Sequence, residues 1–554
     1  CWVNCMIDIV SCSVLFIILS TPAFIIQNLH LYLKTGYFHL GGNIDKELLV
    51  IILMIPRNKQ FTFHLLRKND NLISTEVTYM KQIKNINIET LENNLIYPIY
   101  EDQLIDPQLN KVLDYNLDKL VNKKFKELTV IHTLGKYKFE TITFIGLGSS
   151  KKITSKQIRD IAALIKLDEH ATIYLEGINT DHLDIHTITR AFIESYLQNS
   201  YQEHKIGHEP KVIHEFDIIF SQAELENDIQ LGKVYGEGIN YARMLSDTPS
   251  NLMTPDTLVD EAIKLSQKYP QLECTILNKS NLEKMEAGGI LSVNQGSNIP
   301  AYMICLKYNN SDDPYTAVIG KGLTFDSGGY NLKSDSYGMK YDMCGGADVL
   351  GVMQILAASQ AKANVYGIIP TTENLVSDKA YKPQDVITTL SKKTVEIVST
   401  DAEGRLILCD AITYVQQLGV KKIIDLATLT GACVSALGDV YTGVFSNCDE
   451  YYDEFVQALQ ISDEKGWRLP LDSEYFEKLK STSADFKNSA GKPGGGASVA
   501  ANFLEAFIEE GTQWLHLDIA GSADNDGTGA TGAMIRSVVN MINLKQSSKS
   551  ERIK

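Results

Sequence analysis

Short apolar segments alternate with amphipathic helical segments along the chain from Met80 onward. In the first part of this region, TITFIGLG and ATIYLEGI have the length and composition of buried strands. The segments SKQIRDIAALIKL and AFIESYLQ have helical spacing instead. Because such alternation is typical of a sheet covered by helices, we predict a small N-terminal α/β domain over residues 80–220.

A longer helical pattern separates this domain from the remainder of the chain. Residues 221–247 have helical spacing with no strong breaker except scattered glycines, and we predict a connecting helix there. The following segment, DTPSNLMTPDTL, contains two prolines. Thr254 precedes Pro255 as an N-cap residue precedes the first position of a helix, so we predict a second domain over residues 248–554.

The second domain repeats the alternation on a larger scale. Its strand-like segments are TAVIGKGL, NVYGIIP, TVEIVS, KKIIDLA and WLHLDIA. Its helical segments are ADVLGVMQILAASQAK, LILCDAITYVQQLG and SVAANFLEAFIEE. Apolar strands joined through helices indicate a mostly parallel central sheet covered by helices. The predicted fold class is therefore α/β, with a small N-terminal and a larger C-terminal α/β domain.

The first 79 residues have a different character. They begin with Cys1 and contain an apolar stretch, Ile7–Ile26, that is long enough to span a bilayer. One interpretation is a signal peptide or membrane anchor, although the stretch contains Asp8 and Pro22 and no basic segment precedes it. The favoured interpretation is translated upstream sequence or a gene-model artefact, with Met80 as the natural start. No membrane partner is expected unless the apolar stretch is real.

Charge and cysteine content narrow the functional classes. The chain has 52 Lys and Arg residues against 68 Asp and Glu residues, a formal charge of −16. This balance disfavours non-specific attraction to nucleic acid or to an anionic membrane. The nine cysteines are scattered and include no CxxC pair, which excludes the usual zinc-finger spacings and favours a reducing compartment. We therefore predict a cytoplasmic protein with no nucleic-acid partner.

Charged residues gather where the predicted strands of the second domain end. Lys321 and Asp326 lie at the end of TAVIGKGL, Asp342 precedes the next helix, and Asp401 and Glu403 follow TVEIVS. Ligand sites in open α/β sheets collect at such strand ends. Carboxylates in apolar, glycine-rich surroundings are costly to bury unless they are paired or bound to metal. Two divalent cations can share these side chains, because carboxylates bridge readily.

The scarcity of histidine strengthens the case for metal-dependent hydrolysis. From residue 250 onward the chain contains one histidine, His516. A Ser-His-Asp relay, a Cys-His pair and an HExxH zinc site are therefore nearly excluded in this region. The segment DSGGY does not match the G-x-S-x-G nucleophile motif either. The remaining route to hydrolysis is a water molecule activated by bound metal.

Four sequence blocks carry a resemblance to a known family. The blocks KGLTFDSGGYNLK, MKYDMCGGADVLG, STDAEGRLILCDA and DLATLTGA closely resemble the signature of the leucyl aminopeptidase family, also called the cytosol aminopeptidases. The resemblance covers Asn240 to Asn543 well and the chain from Met80 more loosely, whereas the first 79 residues match nothing in the family. Ser399 departs from the pattern, because the family usually has asparagine there.

The resemblance implies a metal-dependent aminopeptidase that releases N-terminal residues, leucine by preference, from peptide substrates. It implies two divalent ions per subunit, Mn²⁺ or Zn²⁺, with Asp326 and Glu403 bridging. The implied metal ligands are Lys321, Asp326, Asp342, Asp401 and Glu403. In the implied reaction the free α-amine of the substrate binds one ion, and a metal-bridging hydroxide attacks the first peptide carbonyl. A homo-hexamer with its sites facing an interior cavity is also implied.

The resemblance further implies catalytic roles for two basic residues. Lys333 would stabilise the developing oxyanion, and Arg405 would hold a bicarbonate ion that serves as the proton shuttle. Lys321 can act as a ligand only as the neutral amine, so the metal charge must displace its proton. The implied substrate-binding residues are Met339, Thr428, Leu429 and Gly431.

Other interpretations of the same residues remain open from the sequence. Taken singly, Asp326, Asp342 and Asp401 are of the type that caps helices and forms turns. Lys333 and Arg405 can be ion-pair partners of these carboxylates. A DNA-binding or regulatory role on the same fold is the alternative function, because some bacterial members of the family bind DNA. A scaffold that binds metal without activity is a further alternative.

Overall fold

A computed structural model describes residues 80–552, apart from gaps at 85–87, 177, 179, 203–205, 209–211, 492–493 and 526–528, together with four short strands before residue 80. The chain divides into two compact units, Cys1–Tyr79 and Met80–Lys554. In the first unit, β1 (Leu29–Leu33) pairs with β2 (Gly36–Leu40), and β3 (Ile55–Arg57) pairs with β4 (Gln60–Thr62), both antiparallel. The apolar stretch at residues 7–26 lies outside the described residues. Among the helices that the structure describes, none is long and apolar enough to cross a membrane.

The N-terminal part of the second unit contains a six-stranded sheet with helices packed against it. Its strands are β5 (Gln82–Ile83), β6 (Leu95–Ile99), β7 (Leu128–His132), β8 (Thr141–Gly146), β9 (Ala171–Tyr174) and β10 (Phe216–Ile219). Its helices are α1 (Pro107–Leu113), α2 (Leu117–Leu120), α3 (Ser155–Ala162) and α4 (Ile185–Ser200), with a 3₁₀ turn at Ile88–Thr90. The strand order is β5-β10-β9-β6-β8-β7, and β7 is antiparallel to β8. The predicted strands and helices of this region are therefore present.

A long helix follows, as the sequence predicts. Helix α5 (Glu226–Asp247) has 22 residues and packs against both α4 and the central region of the larger domain. Thr254 then caps α6 (Pro255–Lys268) by accepting a hydrogen bond from the Thr257 backbone N–H, with Pro255 in the first turn. The helix start predicted at this proline is confirmed.

A nine-stranded sheet forms the centre of the larger domain. Its strands are β11 (Leu272–Leu277), β12 (Tyr302–Asn309), β13 (Thr316–Gly320), β14 (Gly322–Asp326), β15 (Asn364–Asn374), β18 (Lys422–Ala427), β19 (Thr442–Ser446), β20 (Gly466–Arg468) and β22 (Gln513–Asp518). The smaller strands of the domain are β16 (Val386–Thr388), β17 (Thr394–Glu396), β21 (Phe486–Lys487), β23 (Asp524–Asn525) and β24 (Gly529–Ala530). The strand order of the large sheet is β11-β12-β15-β13-β18-β22-β19-β20, and β14 pairs with β15.

Helices cover both faces of this sheet. The remaining helices are α7 (Lys279–Met285), α8 (Gly288–Asn294), α9 (Cys344–Ala358), α10 (Gly404–Gln417), α11 (Gly431–Leu437), α12 (Asp449–Ser462), α13 (Ser473–Glu477), α14 (Gly496–Glu505) and α15 (Ile535–Arg552), with a 3₁₀ helix at Met339–Met343. One apolar core joins the sheet to α5, α9, α12 and α15, and a second joins its other face to α8, α10 and α14. The central strands β13, β14, β15, β18 and β22 are parallel, which confirms the predicted α/β class.

Three details of the central sheet differ from the prediction. The segment TVEIVS contributes only the three-residue strand β17, which belongs to a separate three-stranded sheet with β16 and β21. The loop that carries Asp401 and Glu403 therefore does not follow a strand of the central sheet. The segment TAVIGKGL forms two strands, β13 and β14, and Lys321 lies at the break between them. The antiparallel strands β11, β12 and β19 were not predicted.

Candidate metal centre

The break between β13 and β14 places Lys321 at the centre of the larger domain. The backbone N–H of Lys321 donates to the Leu426 carbonyl at 3.0 Å, and its carbonyl accepts from the Gly346 N–H at 2.8 Å. These bonds tie the break to the end of β18 and to the first turn of α9. A Cβ at Gly320 would lie 2.0 Å from the Gly345 carbonyl oxygen, so only glycine permits this close approach.

The Lys321 side chain reaches two carboxylates and one carbonyl. Its Nζ lies 2.7 Å from Asp342 Oδ1, 3.0 Å from Glu403 Oε1 and 3.0 Å from the Thr428 carbonyl oxygen. The residue is buried, with 2% of its surface exposed. Gly404 leaves the space for this side chain, because a Cβ there would lie 2.7 Å from Lys321 Nζ. An ordinary side chain at the start of α10 would therefore displace the lysine.

A second lysine holds the other two carboxylates. Lys333 Nζ lies 2.8 Å from Asp326 Oδ2 and 2.5 Å from Asp401 Oδ1. The second oxygen of Asp326 accepts hydrogen bonds from Asn374 Nδ2 and the Gly328 N–H, both at 2.8 Å. The structure thus brings all five predicted metal ligands and Lys333 into one cluster.

The oxygen atoms of this cluster suit divalent cations. Asp326, Asp401 and Glu403 each offer an oxygen, and these three atoms lie within 4.8 Å of one another. Among the described residues, Asp342 Oδ2 and Glu403 Oε2 are buried and have no hydrogen-bond partner. Buried carboxylate oxygens without partners are costly, and a cation would supply the missing interaction. Carboxylate oxygens with one amine nitrogen form a donor set that Mn²⁺ and Zn²⁺ accept, so the residues fit the expected metal.

Burial and mutual repulsion perturb the acidic side chains. Burial, followed by the charge of Glu403, raises the pKa of Asp326 to about 6. Burial is also the main cause that raises the pKa of Asp342, partly opposed by Lys321. Burial acts to lower the pKa of Lys321 and of Lys333, but the neighbouring carboxylates raise both above the ordinary range. The neighbouring carboxylates therefore favour the ammonium form of both lysines.

Arg405 lies in the first turn of α10, beside Glu403. It is 8% exposed, and its Nη1 donates to the Asn488 carbonyl at 2.7 Å. Its Nε is buried and has no hydrogen-bond partner within the described part of the chain. Burial lowers the pKa of Arg405 to about 10, which leaves the guanidinium charged at neutral pH. A buried cation with an N–H that has no partner can bind an anion by donating a hydrogen bond to it.

The segment Thr428–Gly431 follows β18 and borders the cluster. Thr428 Oγ1 donates to Asp342 Oδ1 at 2.9 Å, beside the bond from Lys321 to the Thr428 carbonyl. The N–H of Leu429 and the hydroxyl of Thr430 donate to Asp518 at 3.2 and 2.7 Å. The segment is thus fixed at one end by a predicted metal ligand and at the other by Asp518.

The last two predicted substrate-binding residues are Gly431, at the end of this segment, and Met339. Gly431 opens α11 and is exposed, and a Cβ there would meet open space. Met339 begins the 3₁₀ helix that carries Asp342 and is partly exposed. Both residues therefore have surface exposed to solvent.

Several residues that hold the cluster were missed by the sequence analysis. Asn374 Nδ2 donates to Asp326 and also to the Thr400 carbonyl at 2.9 Å, and the Tyr381 hydroxyl donates to the same carbonyl at 2.8 Å. Asn488 accepts from the Val398 N–H at 2.8 Å and donates to the Ser399 carbonyl at 2.6 Å. These amide side chains replace a central strand in positioning the loop of Asp401. Asn374 ends β15 after the polar residues Thr371, Thr372 and Glu373, so the sequence pattern gave no signal for it.

The larger domain matches a known family. The model of the "Cytosol aminopeptidase family, catalytic domain" matches residues 240–539, which is more than half of the chain. The match spans every residue of the cluster, from Lys321 to Glu403, together with Arg405 and the Thr428–Gly431 segment.

Proposed function

Because the chain belongs to the cytosol aminopeptidase family of metal-dependent aminopeptidases, we propose that it releases N-terminal residues, preferably leucine, from peptides with two divalent ions, Mn²⁺ or Zn²⁺. The observation that carries the proposal is the buried cluster, in which two carboxylate oxygens have no partner among the residues that the structure describes. Lys321, Asp326, Asp342, Asp401 and Glu403 would hold the ions. When bound, such ions lower the pKa of water and polarise a carbonyl group.

The acidic cluster also accounts for exopeptidase action. In the proposed reaction the free α-amine of the substrate binds one of the ions. A peptide has this amine only at its N-terminus, and an internal peptide bond has none. Asp401 is the most exposed member of the cluster, with 36% of its side chain accessible, whereas the other carboxylates are buried. We infer that the N-terminal end of the peptide approaches from the side of Asp401, and we propose Met339 and the Thr428–Gly431 segment as its binding residues.

Lys333 is placed to stabilise negative charge on the substrate. Its side chain is 21% exposed, and its ammonium group lies against Asp326 and Asp401 at the edge of the cluster. A fixed cation at this edge can stabilise the oxygen that becomes negative when the carbonyl is attacked. We propose that Arg405 holds a bicarbonate ion and that this anion supplies a proton shuttle. The Arg405 Nε–H, which has no partner among the described residues, is a donor for the anion.

The first experiment is hydrolysis of leucine p-nitroanilide. The metal-free protein should be inactive, and Mn²⁺, Zn²⁺ or Co²⁺ should restore hydrolysis. Amide substrates with an acetylated N-terminus should not be cleaved. The proposal fails if no metal restores activity, or if Asp326→Ala and Lys333→Ala behave like the parent. Comparing several amino-acid p-nitroanilides tests the preference for leucine.

Assembly, location and the natural start are further proposals. Family membership supports a homo-hexamer, which light scattering of the purified protein tests directly. The acidic charge and the six free cysteines among the described residues support a cytoplasmic location, which imaging of the tagged protein in cells tests. Mass spectrometry of the natural N-terminus tests whether translation starts at Met80. The domain boundaries at residues 79, 220 and 247 also remain predictions.

A further inference from the structure

Two loops carry the most exposed members of the metal cluster. Lys333 ends the loop of residues 328–333, and Asp401 ends the loop of residues 398–401. The Lys333 ammonium group pairs with Asp401 and with Asp326. Both partners are predicted metal ligands, so a bound cation would compete with the lysine for their oxygens. Other contacts must therefore hold Lys333 in place when the cluster is occupied.

Thr400, next to Asp401, bonds the 328–333 loop through its side chain. Its hydroxyl donates to the Gly328 carbonyl at 2.6 Å and accepts from the Asn331 N–H at 2.8 Å. A hydroxyl has one proton and two lone pairs, so it can make both bonds at once. Thr400 is fully buried, and a Cβ at Gly329 would lie 2.9 Å from its Oγ1. The two loops are therefore in direct contact at this hydroxyl.

Asn331 bonds back to the same threonine. Its Oδ1 accepts from the Thr400 backbone N–H at 2.8 Å. We call the three hydrogen bonds of Thr400 with Gly328 and Asn331 the threonine clamp. The base of the loop is closed by the Lys333 N–H, which donates to the Ser327 carbonyl at 2.9 Å. Because one residue separates Asn331 from Lys333, a shift of Asn331 moves the backbone from which the lysine side chain extends.

The 398–401 loop has further contacts that do not use the Thr400 hydroxyl. Asn374 and Tyr381 donate to the Thr400 carbonyl at 2.9 and 2.8 Å. Asn488 bonds the backbone of the two residues before Thr400. Removal of the Thr400 hydroxyl should therefore release the 328–333 loop and leave Asp401 in place.

We propose that Thr400 is a positioning residue for Lys333, and that the threonine clamp fixes the lysine against the metal cluster. The buried hydroxyl acts through the 328–333 loop and not on the substrate. A lysine that is displaced stabilises a developing oxyanion less well, since a misplacement of about 1 Å can cost about 100-fold in rate. The inference rests on the proposed function, in which Lys333 stabilises negative charge on the substrate.

A double-mutant cycle tests whether Thr400 acts through Lys333. Thr400→Val keeps the shape of the side chain and removes the hydroxyl, so kcat should fall about 10- to 100-fold with KM within about threefold of the parent. In the Lys333→Ala background the same substitution should lower kcat by less than about threefold, because no lysine remains to be misplaced. Equal losses in the two backgrounds would overturn the inference.

Two further variants separate the hydroxyl from packing. Thr400→Ser keeps the hydroxyl and should keep kcat within about threefold of the parent. Thr389→Val is the matched control, because Thr389 is also fully buried and its hydroxyl donates to the Lys393 carbonyl at 3.0 Å. The control should lower Tm and leave kcat at the parent value. A Thr400→Ser variant as slow as Thr400→Val, or a slow Thr389→Val, would contradict the role of the clamp.

Hydrogen exchange of the metal-loaded full chain tests the clamp independently of activity. In Thr400→Val, amides of residues 328–333 should exchange about tenfold faster than in the parent, because the Asn331 N–H loses its acceptor. Exchange of residues 398–401 and metal content per chain should stay at the parent values. Unchanged exchange of residues 328–333, or loss of metal, would overturn the inference.

Asn331→Ala decides the matter if Thr400→Val fails to fold, because Asn331 is exposed. It removes the acceptor of the Thr400 N–H and should lower kcat about 3- to 10-fold in the parent but not in Lys333→Ala. A parent-like kcat in Asn331→Ala would overturn the inference. Failure of the proposed function would appear separately, as a metal-loaded parent that does not cleave leucine p-nitroanilide.

Discussion

The unit Met80–Lys554 contains two helix-covered sheets, and each has an aspartate at the end of one of its strands. The two aspartates differ in exposure and in the direction of their pKa shift. In the N-terminal sheet, Asp102 lies beyond β6, is exposed and accepts two hydrogen bonds from Ser150, at 3.2 and 2.5 Å. The hydroxyl of Ser150 is the main cause that lowers the pKa of Asp102. In the central sheet, Asp326 ends β14 with 2% of its surface exposed, and burial raises its pKa to about 6.

An aspartate at the end of a strand does not by itself make a metal site. Both aspartates occupy the edge of a sheet where ligands collect in α/β folds. Asp102 is solvated and satisfied by protein donors, whereas Asp326 belongs to a group of four carboxylates that share two lysines. A metal site requires this second condition, in which the protein buries more negative charge than its own donors satisfy.

The largest difference between the two sheets is expected when one aspartate is removed from each. Asp326→Ala should lower kcat/KM by about 10³-fold or more, because several kcal/mol of transition-state stabilisation depend on the ions. Asp102→Ala should leave kcat/KM unchanged. Activity and metal content per chain, by elemental analysis, measure the two variants. Equal losses from both, or full metal content in Asp326→Ala, would contradict the assignment.

The two sheets also contrast in their lysines. Lys333→Ala should lower kcat by about 100-fold and leave KM little changed, because the lysine stabilises charge that develops only in the transition state. Lys138→Ala is the control, since Lys138 forms an exposed pair with Glu92 at 3.1 Å in the N-terminal part. Steady-state kinetics measure both. A pure rise in KM for Lys333→Ala would indicate substrate binding rather than transition-state stabilisation.

Metal affinity should fall as the pH falls, because the buried carboxyl groups take up protons. The pKa of Asp326 is raised to about 6, and that of Asp342 is also raised. Below these pKa values the carboxyls bind protons that an ion must displace, so affinity is lost as the pH falls. We expect a loss of about tenfold per pH unit for each proton released. Calorimetric titration of the metal-free protein in buffers of different ionisation enthalpy counts these protons, and a pH-independent affinity would contradict the prediction.

The smallest expected effect concerns two threonines that cap helices. Thr154 accepts from the Gln157 N–H at the start of α3, and Thr430 accepts from the Cys433 N–H at the start of α11. Replacing either by alanine should cost about 1 kcal/mol of unfolding free energy. Only Thr430→Ala should also raise KM, because Thr430 belongs to the segment beside the cluster. Urea unfolding measures the loss of stability, and steady-state kinetics measure KM. An equal KM in both variants would show that Thr430 does not contribute to substrate binding.

The sequence predicted those parts that depend on local pattern. Periodicity identified the helices α5, α9, α10 and α14 and the strands β13, β15, β18 and β22 within a few residues of their observed ends. The family-specific blocks identified Lys321, Asp326 and the other cluster residues, because each block has fixed spacing around a charged side chain. Histidine scarcity independently favoured metal-dependent hydrolysis.

Long-range hydrogen bonds explain what the sequence could not show. The loop of Asp401 is held by Asn488, nearly ninety positions away from Ser399, and by Asn374. A single asparagine in a loop has no local pattern that distinguishes such a role. The strands β11 and β12 were missed for a different reason, because their antiparallel pairing depends on the sheet edge that they complete.

The hydrogen bond between the buried Trp514 and Asp425 gives the protein a fluorescent reporter inside the larger domain. The chain has three tryptophans; Trp467 is 59% exposed, Trp514 is fully buried, and Trp2 lies outside the described residues. With Trp2 and Trp467 replaced by phenylalanine, all indole emission comes from Trp514. Its Nε1–H is bonded to Asp425, which also holds His516. A shift of the emission wavelength on adding metal would then show that metal binding changes the surroundings of this indole.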